Sequence, residues 1–176
     1  MLFRSKMLKL NVIAPSHSAW ASPVVIVPKK NGKARFCVDY RRLKNITKKD
    51  AYPLPRLEDC LDSLGDAQVF TSLDCTAGYW QVPLRKEDQE KTAFTAHCGT
   101  YHWLSMPFGL TNAPATLQRA LDIILSGLNW QRCLVYLDDV IIFSANAEQH
   151  VKDVDTVLHC KAAGLTCTVC EKPGLP

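Results

Sequence analysis

A chain of 176 residues, 47% of them hydrophobic, is long enough to bury a core and carries no low-complexity tract that would argue for disorder. Lys and Arg number 21 against 17 Asp and Glu, a surplus of +4 that neither demands nor excludes a polyanionic partner. The distribution says more: Lys29 to Lys49 holds nine basic residues and one acid, Asp39, a local +8 that leaves the remainder at −4. Such a block suits phosphates or a solvated loop face, and composition does not choose between them.

The opening "MLFRSKMLKLNVIAPS" is broken by Arg4, Lys6 and Lys9, so it lacks the apolar core of a signal peptide. No stretch approaches membrane-spanning length. Eight scattered cysteines read as reduced, intracellular thiols, and the chain is expected not to be secreted. The tail places Cys167 and Cys170 in "CTVC", with His159 and Cys160 upstream. Ordinary thiols are expected there over a zinc site, because the spacing matches no standard finger.

In chain order, residues 4–13 are expected to form a short helix ended by Pro15. "SPVVIVPKKNGKARFCVDY" predicts a hairpin, with Val24–Val27 and Arg35–Tyr40 flanking an Asn31-Gly32 turn. Leu57, Leu61 and Leu64 recur at helical spacing after Pro53 and Pro55, up to Gly65. "VFTSLD" predicts a strand ending at Asp74, followed by a tight turn in "CTAGYW". "KTAFTA" and "TYHWLSM" predict a strand pair around Cys98-Gly99. "TNAPATLQRALDIILSGL" predicts a capped helix of about three turns. A hairpin containing Asp138-Asp139 comes next, then a polar helix from Ala147 to Ala163 closed by Gly164. Hairpins and helices interleave without a regular strand–helix repeat, so the expected class is α+β, an antiparallel sheet with helices packed on one face.

"LVYLDDVIIF" sets two adjacent carboxylates between apolar strand-forming runs, where unpaired charge is expensive. A plain turn is a weak explanation, since two-residue hairpin loops favour Gly or Asn at positive φ and Asp-Asp offers neither. A divalent metal gives a better one, because Mg²⁺ takes hard oxygen ligands and neutralises like charges. Asp74, at the end of another strand, is the natural partner. Three carboxylates can hold two ions roughly 4 Å apart for phosphoryl transfer. From the residues alone, this reading and a structural one both remain open.

Five segments turn that pattern into a resemblance: "FCVDYRRLKNITKKDAYPLPR", "LDCTAGYWQVPL", "KTAF", "MPFGLTNAPATLQ" and "VYLDDVIIFS". In this order they are similar to the reverse transcriptases of Gypsy-type long-terminal-repeat retrotransposons, and "SHSAWASPVVIVPKKNGK" resembles the start of their fingers region. The resemblance covers about residues 7–165. It implies a right-hand polymerase with fingers (about 20–70 and 85–105) and palm (70–84 and 105–165). It implies an RNA-directed DNA polymerase in which Asp74, Asp138 and Asp139 are catalytic and hold two Mg²⁺ ions, with Mn²⁺ as a substitute. Lys29 and Arg35 would contact the incoming triphosphate. Tyr79 would be the aromatic gate beneath the sugar, although a tyrosine there could also be ordinary core. Phe108 and Gly109 would lie near template or base. Gln118 is a further substrate-binding candidate, although a mid-helix Gln usually faces solvent.

Implied partners are an RNA template, a DNA primer, deoxynucleoside triphosphates and the remainder of a Pol polyprotein, with no membrane. The implied setting is cytoplasmic, in a virus-like particle, or nuclear. The ending "KAAGLTCTVCEKPGLP" departs from the family's primer-gripping hairpin, and no thumb, connection or ribonuclease H segment is represented. Weak synthesis is therefore expected of the fragment. The competing expectation is an inactive relic that at most binds nucleic acid or a protein.

Overall fold

The computed structural model describes residues 2–28, 32, 34–75, 77–161 and 167–169. In chain order the elements are α1 (Leu2–Lys9), β1 (Ile13–Pro15), β2 (Ser22–Pro28), β3 (Ala34–Val38), α2 (Arg41–Ile46), α3 (Leu57–Leu64) and β4 (Val69–Cys75). After a short 3₁₀ turn, Gly78–Gln81, come α4 (Lys86–Gln89), β5 (Phe94–Ala96), β6 (Gly99–Trp103) and α5 (Ala113–Ile124). The chain continues with β7 (Cys133–Tyr136), β8 (Asp139–Ser144), α6 (Ala147–Lys161) and β9 (Cys167–Val169).

These elements form two compact units. One comprises Met1–Lys49 with Tyr79–Ala113, the other Asp50–Gly78 with Pro114–Pro176. The mixed α/β class expected from the sequence is present, but as two sheets rather than one. The first unit carries the order β1-β6-β5-β2-β3 and the second β7-β8-β4-β9. In this division residues 50–70 belong with β4 and residues 105–113 with β6.

In the first unit, β2 and β3 pair antiparallel from Val24↔Val38 to Pro28↔Ala34, as the Asn-Gly signal predicts. Ser22 and Pro23 pair in parallel with Phe94 and Thr95, joining that hairpin to β5 and β6. The predicted helix over 4–13 is shorter than expected. It ends at Lys9, Asn11 takes a positive φ, and Ile13–Pro15 pairs with Tyr101–Trp103. Burial explains the change, because Val12 and Ile13 enter a core with Met7, Phe94 and Trp103 that a continuing helix could not reach.

In the second unit the sheet is antiparallel throughout. Strand β8 alternates cleanly: Val140, Ile142 and Ser144 are buried, while Asp139, Ile141 and Phe143 are only partly covered. The buried face packs with Leu117, Leu121 and Leu125 of the α5 segment and Val157 of α6, all fully buried. The leucines of α3 have helical spacing but contribute little to burial. Leu57 and Leu61 are exposed, and Cys60 is the buried residue of that helix. β9 was not expected from the sequence; its backbone pairs with β4, Thr168 opposite Asp74, and makes β4 an interior strand. Ala162, Ala163, Gly164 and Cys170 lie outside the described residues, so the predicted end of the polar helix and the "CTVC" pairing do too.

Candidate active site

The second unit builds its site from one strand pair and one turn. Across the β4–β8 ladder, Asp74 stands directly opposite Asp139. Side chains of directly opposed residues share a face, with Cβ atoms about 4.5–5.5 Å apart. Asp74 is exposed and Asp139 half-buried. The β7–β8 hairpin pairs Tyr136 with Asp139, so its two loop residues are Leu137 and Asp138. The sequence led to a hairpin containing Asp138-Asp139 without fixing where its turn falls. Asp139 opens the return strand because only that register buries Val140, Ile142 and Ser144.

The turn is strained. Leu137 has φ +58°, a region that costs a residue with a Cβ about 1–2 kcal/mol. Two contacts hold it. The Cys75 amide donates to the Asp138 carbonyl at 3.0 Å, tying the turn to β4. The Leu137 amide donates to Oε1 of Gln118 at 2.8 Å, while Gln118 Nε2 donates to the Val135 carbonyl at 3.1 Å.

Gln118 is completely buried, and its amide serves protein groups on both sides of the turn. The expectation of substrate contact is therefore redirected: this side chain braces the hairpin that carries the carboxylates. Asp122 supports it in turn, accepting from Gln118 Nε2 at 3.2 Å and from Asn129 Nδ2 at 2.8 Å. Gly78 completes the surroundings, because a Cβ there would meet Cys75 Cβ at 3.1 Å and Asp138 Cβ at 3.8 Å. Neither Leu137 nor Gly78 was singled out from the sequence. The signal for Gln118 was present, since it falls three and seven residues before Leu121 and Leu125 on the apolar stripe of α5.

The remaining candidates belong to the first unit, apart from Lys29, which lies outside the described residues. Arg35 is exposed on β3, opposite Val27 of β2. Tyr79 sits in the 3₁₀ turn, half-buried, with its ring edge-on to Phe108 at 4.8 Å between centroids. Phe108 is 52% exposed, and Trp80 backs it at 6.3 Å. Gly109 has φ +96°, and a Cβ there would lie 3.7 Å from the Tyr40 ring. That ring is fixed by a hydrogen bond from its hydroxyl to the Thr92 carbonyl at 2.8 Å. An exposed aromatic ring and a permissive glycine thus occupy consecutive positions, 108 and 109, of the "MPFGL" segment.

One expectation is not met. Three carboxylates are read from the sequence as able to hold two ions, yet among the described residues no group of three or more His, Cys, Asp or Glu forms a metal cluster by itself. Strand geometry gives the reason. Adjacent side chains diverge, so Asp139 faces Asp74 while Asp138 occupies the turn. The donor set still fits a hard divalent cation. Mg²⁺ is ordinarily held by one or two carboxylates together with substrate phosphates, not by an all-protein cage. Two carboxylates facing one another across a ladder are destabilising without a cation between them.

The reverse transcriptase (RNA-dependent DNA polymerase) family model matches residues 27–168. The chain is 44% identical over 161 residues to the retrovirus-related Pol polyprotein from transposon gypsy of Drosophila melanogaster, a match covering 88% of this chain and 16% of that one. It is 38% identical over 165 residues to the enzymatic polyprotein of cauliflower mosaic virus (strain Strasbourg), covering 91% and 24% respectively. Among solved structures it is similar to a prototype foamy virus protease-reverse transcriptase, with TM-score 0.83 and 26% identity over 94% of this chain and 22% of that one. A foamy viral protease-reverse transcriptase in complex with double-stranded DNA matches with TM-score 0.79 and 26% identity, covering 92% and 28%. The chain spans less than a third of each of these relatives.

Proposed function

The chain belongs to the reverse transcriptase family, and from that premise we propose that it carries the nucleotidyl-transfer centre of an RNA-directed DNA polymerase of a Gypsy-type retrotransposon. The observation that carries the reading is the pairing of Asp74 with Asp139, with Asp138 in the adjoining turn. Asp74 and Asp139 would hold Mg²⁺, or Mn²⁺ in its place, with Asp138 as a third oxygen donor. When bound, two such ions supply activation of a primer 3′-hydroxyl and neutralise charge on the leaving pyrophosphate.

The protein's own residues position the reactants. β4 and β8 present their carboxylates on the less buried face of the sheet, where a primer end and a triphosphate can approach. Arg35, exposed on its strand, offers a planar guanidinium for phosphate oxygens, and Lys29 would add a second cation. Phe108 and Gly109 offer an exposed ring and a backbone free of a Cβ to a base. The template supplies base choice, so binding to RNA and DNA rests on backbone charge and should weaken steeply with salt. The duplex held by a foamy viral relative supports a nucleic-acid partner.

Addition of one deoxynucleotide to a labelled DNA primer on an RNA template, with Mg²⁺ or Mn²⁺, tests this reading. Single addition is the right measure because it does not require processive synthesis. Extension that Asp139→Asn removes is the expected result. Extension that survives both Asp74→Asn and Asp139→Asn would assign the chemistry elsewhere.

Tyr79 makes a separate prediction. If its ring lies beneath the sugar, Tyr79→Ala should raise ribonucleotide relative to deoxynucleotide incorporation by about tenfold or more, the range that steric discrimination supplies. Loss of the edge contact with Phe108 alone would lower stability and leave the ratio unchanged.

A further inference from the structure

On the buried side of the second unit's sheet lies a polar chain that nucleotidyl transfer does not use. Thr71 Oγ1 is 2.7 Å from His150 Nε2, and His150 Nδ1 is 3.0 Å from Ser144 Oγ. Ser144 Oγ donates to Asp153 Oδ2 at 2.7 Å, and Asp153 Oδ1 accepts from Arg132 Nη1 at 2.8 Å and Gln149 Nε2 at 2.9 Å. Ser144, His150 and Asp153 are all more than nine-tenths buried. Burial alone would raise the Asp153 carboxyl, but the bonds from Ser144, Gln149 and Arg132 outweigh it and hold the group below its usual 3.8.

An ionised Asp153 fixes the direction of the bonds as far as His150 Nδ1. It can only accept, so the Ser144 hydroxyl must donate to it. Ser144 Oγ then accepts from His150 Nδ1–H, and Nε2 pairs with the Thr71 hydroxyl, which can donate or accept. A proton on Nδ1 is what Ser144 requires, because a ring protonated only on Nε2 would turn a bare Nδ1 toward an oxygen whose own proton is committed to Asp153.

The two hydroxyls belong to the two strands that carry the carboxylate pair. β4 and β8 lie far apart in sequence, so no tight turn sets their register. Alternation excludes a slip of one residue, which would turn the apolar face outward. It does not exclude a slip of two. Val69, Thr71, Leu73 and Cys75 would still face Val140, Ile142 and Ser144, while Asp74 would move about 7 Å along from Asp139.

We propose that the Thr71–His150–Ser144 chain is a register pin that blocks the two-residue slip, which makes His150 a positioning residue for the carboxylate pair. A hydrogen bond requires its partners within a few tenths of an ångström, whereas apolar contacts tolerate repacking. The imidazole reaches both strands from α6, whose first turn is itself fixed by the Asn146 side chain accepting from the Gln149 amide at 2.9 Å. The consequence for catalysis rests on the polymerase reading above; the consequence for register does not.

Nuclear magnetic resonance on the full chain tests the pin without any need for activity. Nitrogen-15 shifts of His150 should report a protonated Nδ1. Cross-strand proton contacts should report one register, with Leu73 opposite Val140. Thr71→Val and His150→Leu should add a second set of contacts displaced by two residues, and Thr71→Ser, which restores the hydroxyl, should return a single set. The slipped variants should also bind Mn²⁺ at least fivefold more weakly in the presence of a deoxynucleoside triphosphate. A single, unshifted set in Thr71→Val, a near-isosteric change that spares the fold even if His150→Leu does not, would overturn the proposal. So would a bare Nδ1. If Mn²⁺ binding is instead indifferent to Asp139→Asn in the parent, the polymerase reading falls and the register data still decide the pin.

Discussion

Replacing Gln118 by Leu should destabilise the β7–β8 hairpin by about 2–6 kcal/mol, at about 1–3 kcal/mol for each backbone group left without a partner. Leucine matches the volume, so the cost is polar: the Leu137 amide and the Val135 carbonyl both lose their bond. Because Leu137 already sits at φ +58°, the turn has an unstrained conformation to relax into once Gln118 lets go. Gln118→Glu separates the two bonds. Its carboxylate can still accept from Leu137, but the second oxygen faces the Val135 carbonyl and the Asp122 carboxylate. Gln118→Glu should therefore be the worse variant at neutral pH and should recover as pH falls, when the protonated acid regains a donor. Hydrogen exchange of the β7 and β8 amides at pH 7 and pH 5 measures both effects. Equal protection in all three proteins would remove Gln118 from its bracing role.

The parts of the site that were legible in the sequence are the local ones. Strand-forming runs on either side of Asp138 and Asp139 announce a hairpin, and an Asp at the end of "VFTSLD" announces a second strand. Where the turn falls within the hairpin was less legible. Asp138-Asp139 is the conspicuous pair, but burial of Val140, Ile142 and Ser144 decides the register and moves the loop to Leu137-Asp138. Local pattern also misled over residues 10–13 and α3. Val12 and Ile13 fit a helical run but are drawn into a core by pairing with β6, and Leu57 and Leu61 keep helical spacing on an exposed face. β9 has only three residues, too short for periodicity to register. The β4–β8 register was invisible for a different reason. It is a long-range pairing without a turn, set by contacts such as Thr71 with His150 that no local window contains.

Asp74→Asn and Asp139→Asn should each make the fold slightly more stable while removing nucleotidyl transfer. The two carboxylates stand directly opposite one another, and like charges so placed cost about 0.2–1 kcal/mol. Asparagine keeps the shape and relieves that repulsion, so the unfolding midpoint should rise in either variant. Chemistry should move the other way. Metal-assisted charge stabilisation is worth several kcal/mol, and each 1.36 kcal/mol is a factor of ten, so single-nucleotide addition should fall by at least about 100-fold. Mn²⁺ binding in the presence of a deoxynucleoside triphosphate should weaken in parallel. Asp138→Asn provides the contrast. Its side chain sits in the turn and not in the opposed pair, so the same loss of addition should come without the gain in stability. A purely structural pair predicts the reverse for Asp74 and Asp139, with stability lost and metal binding indifferent. Opposite signs of stability and activity at the same two positions are therefore what distinguishes a site that holds two negative charges for a cation from a ladder that happens to contain them.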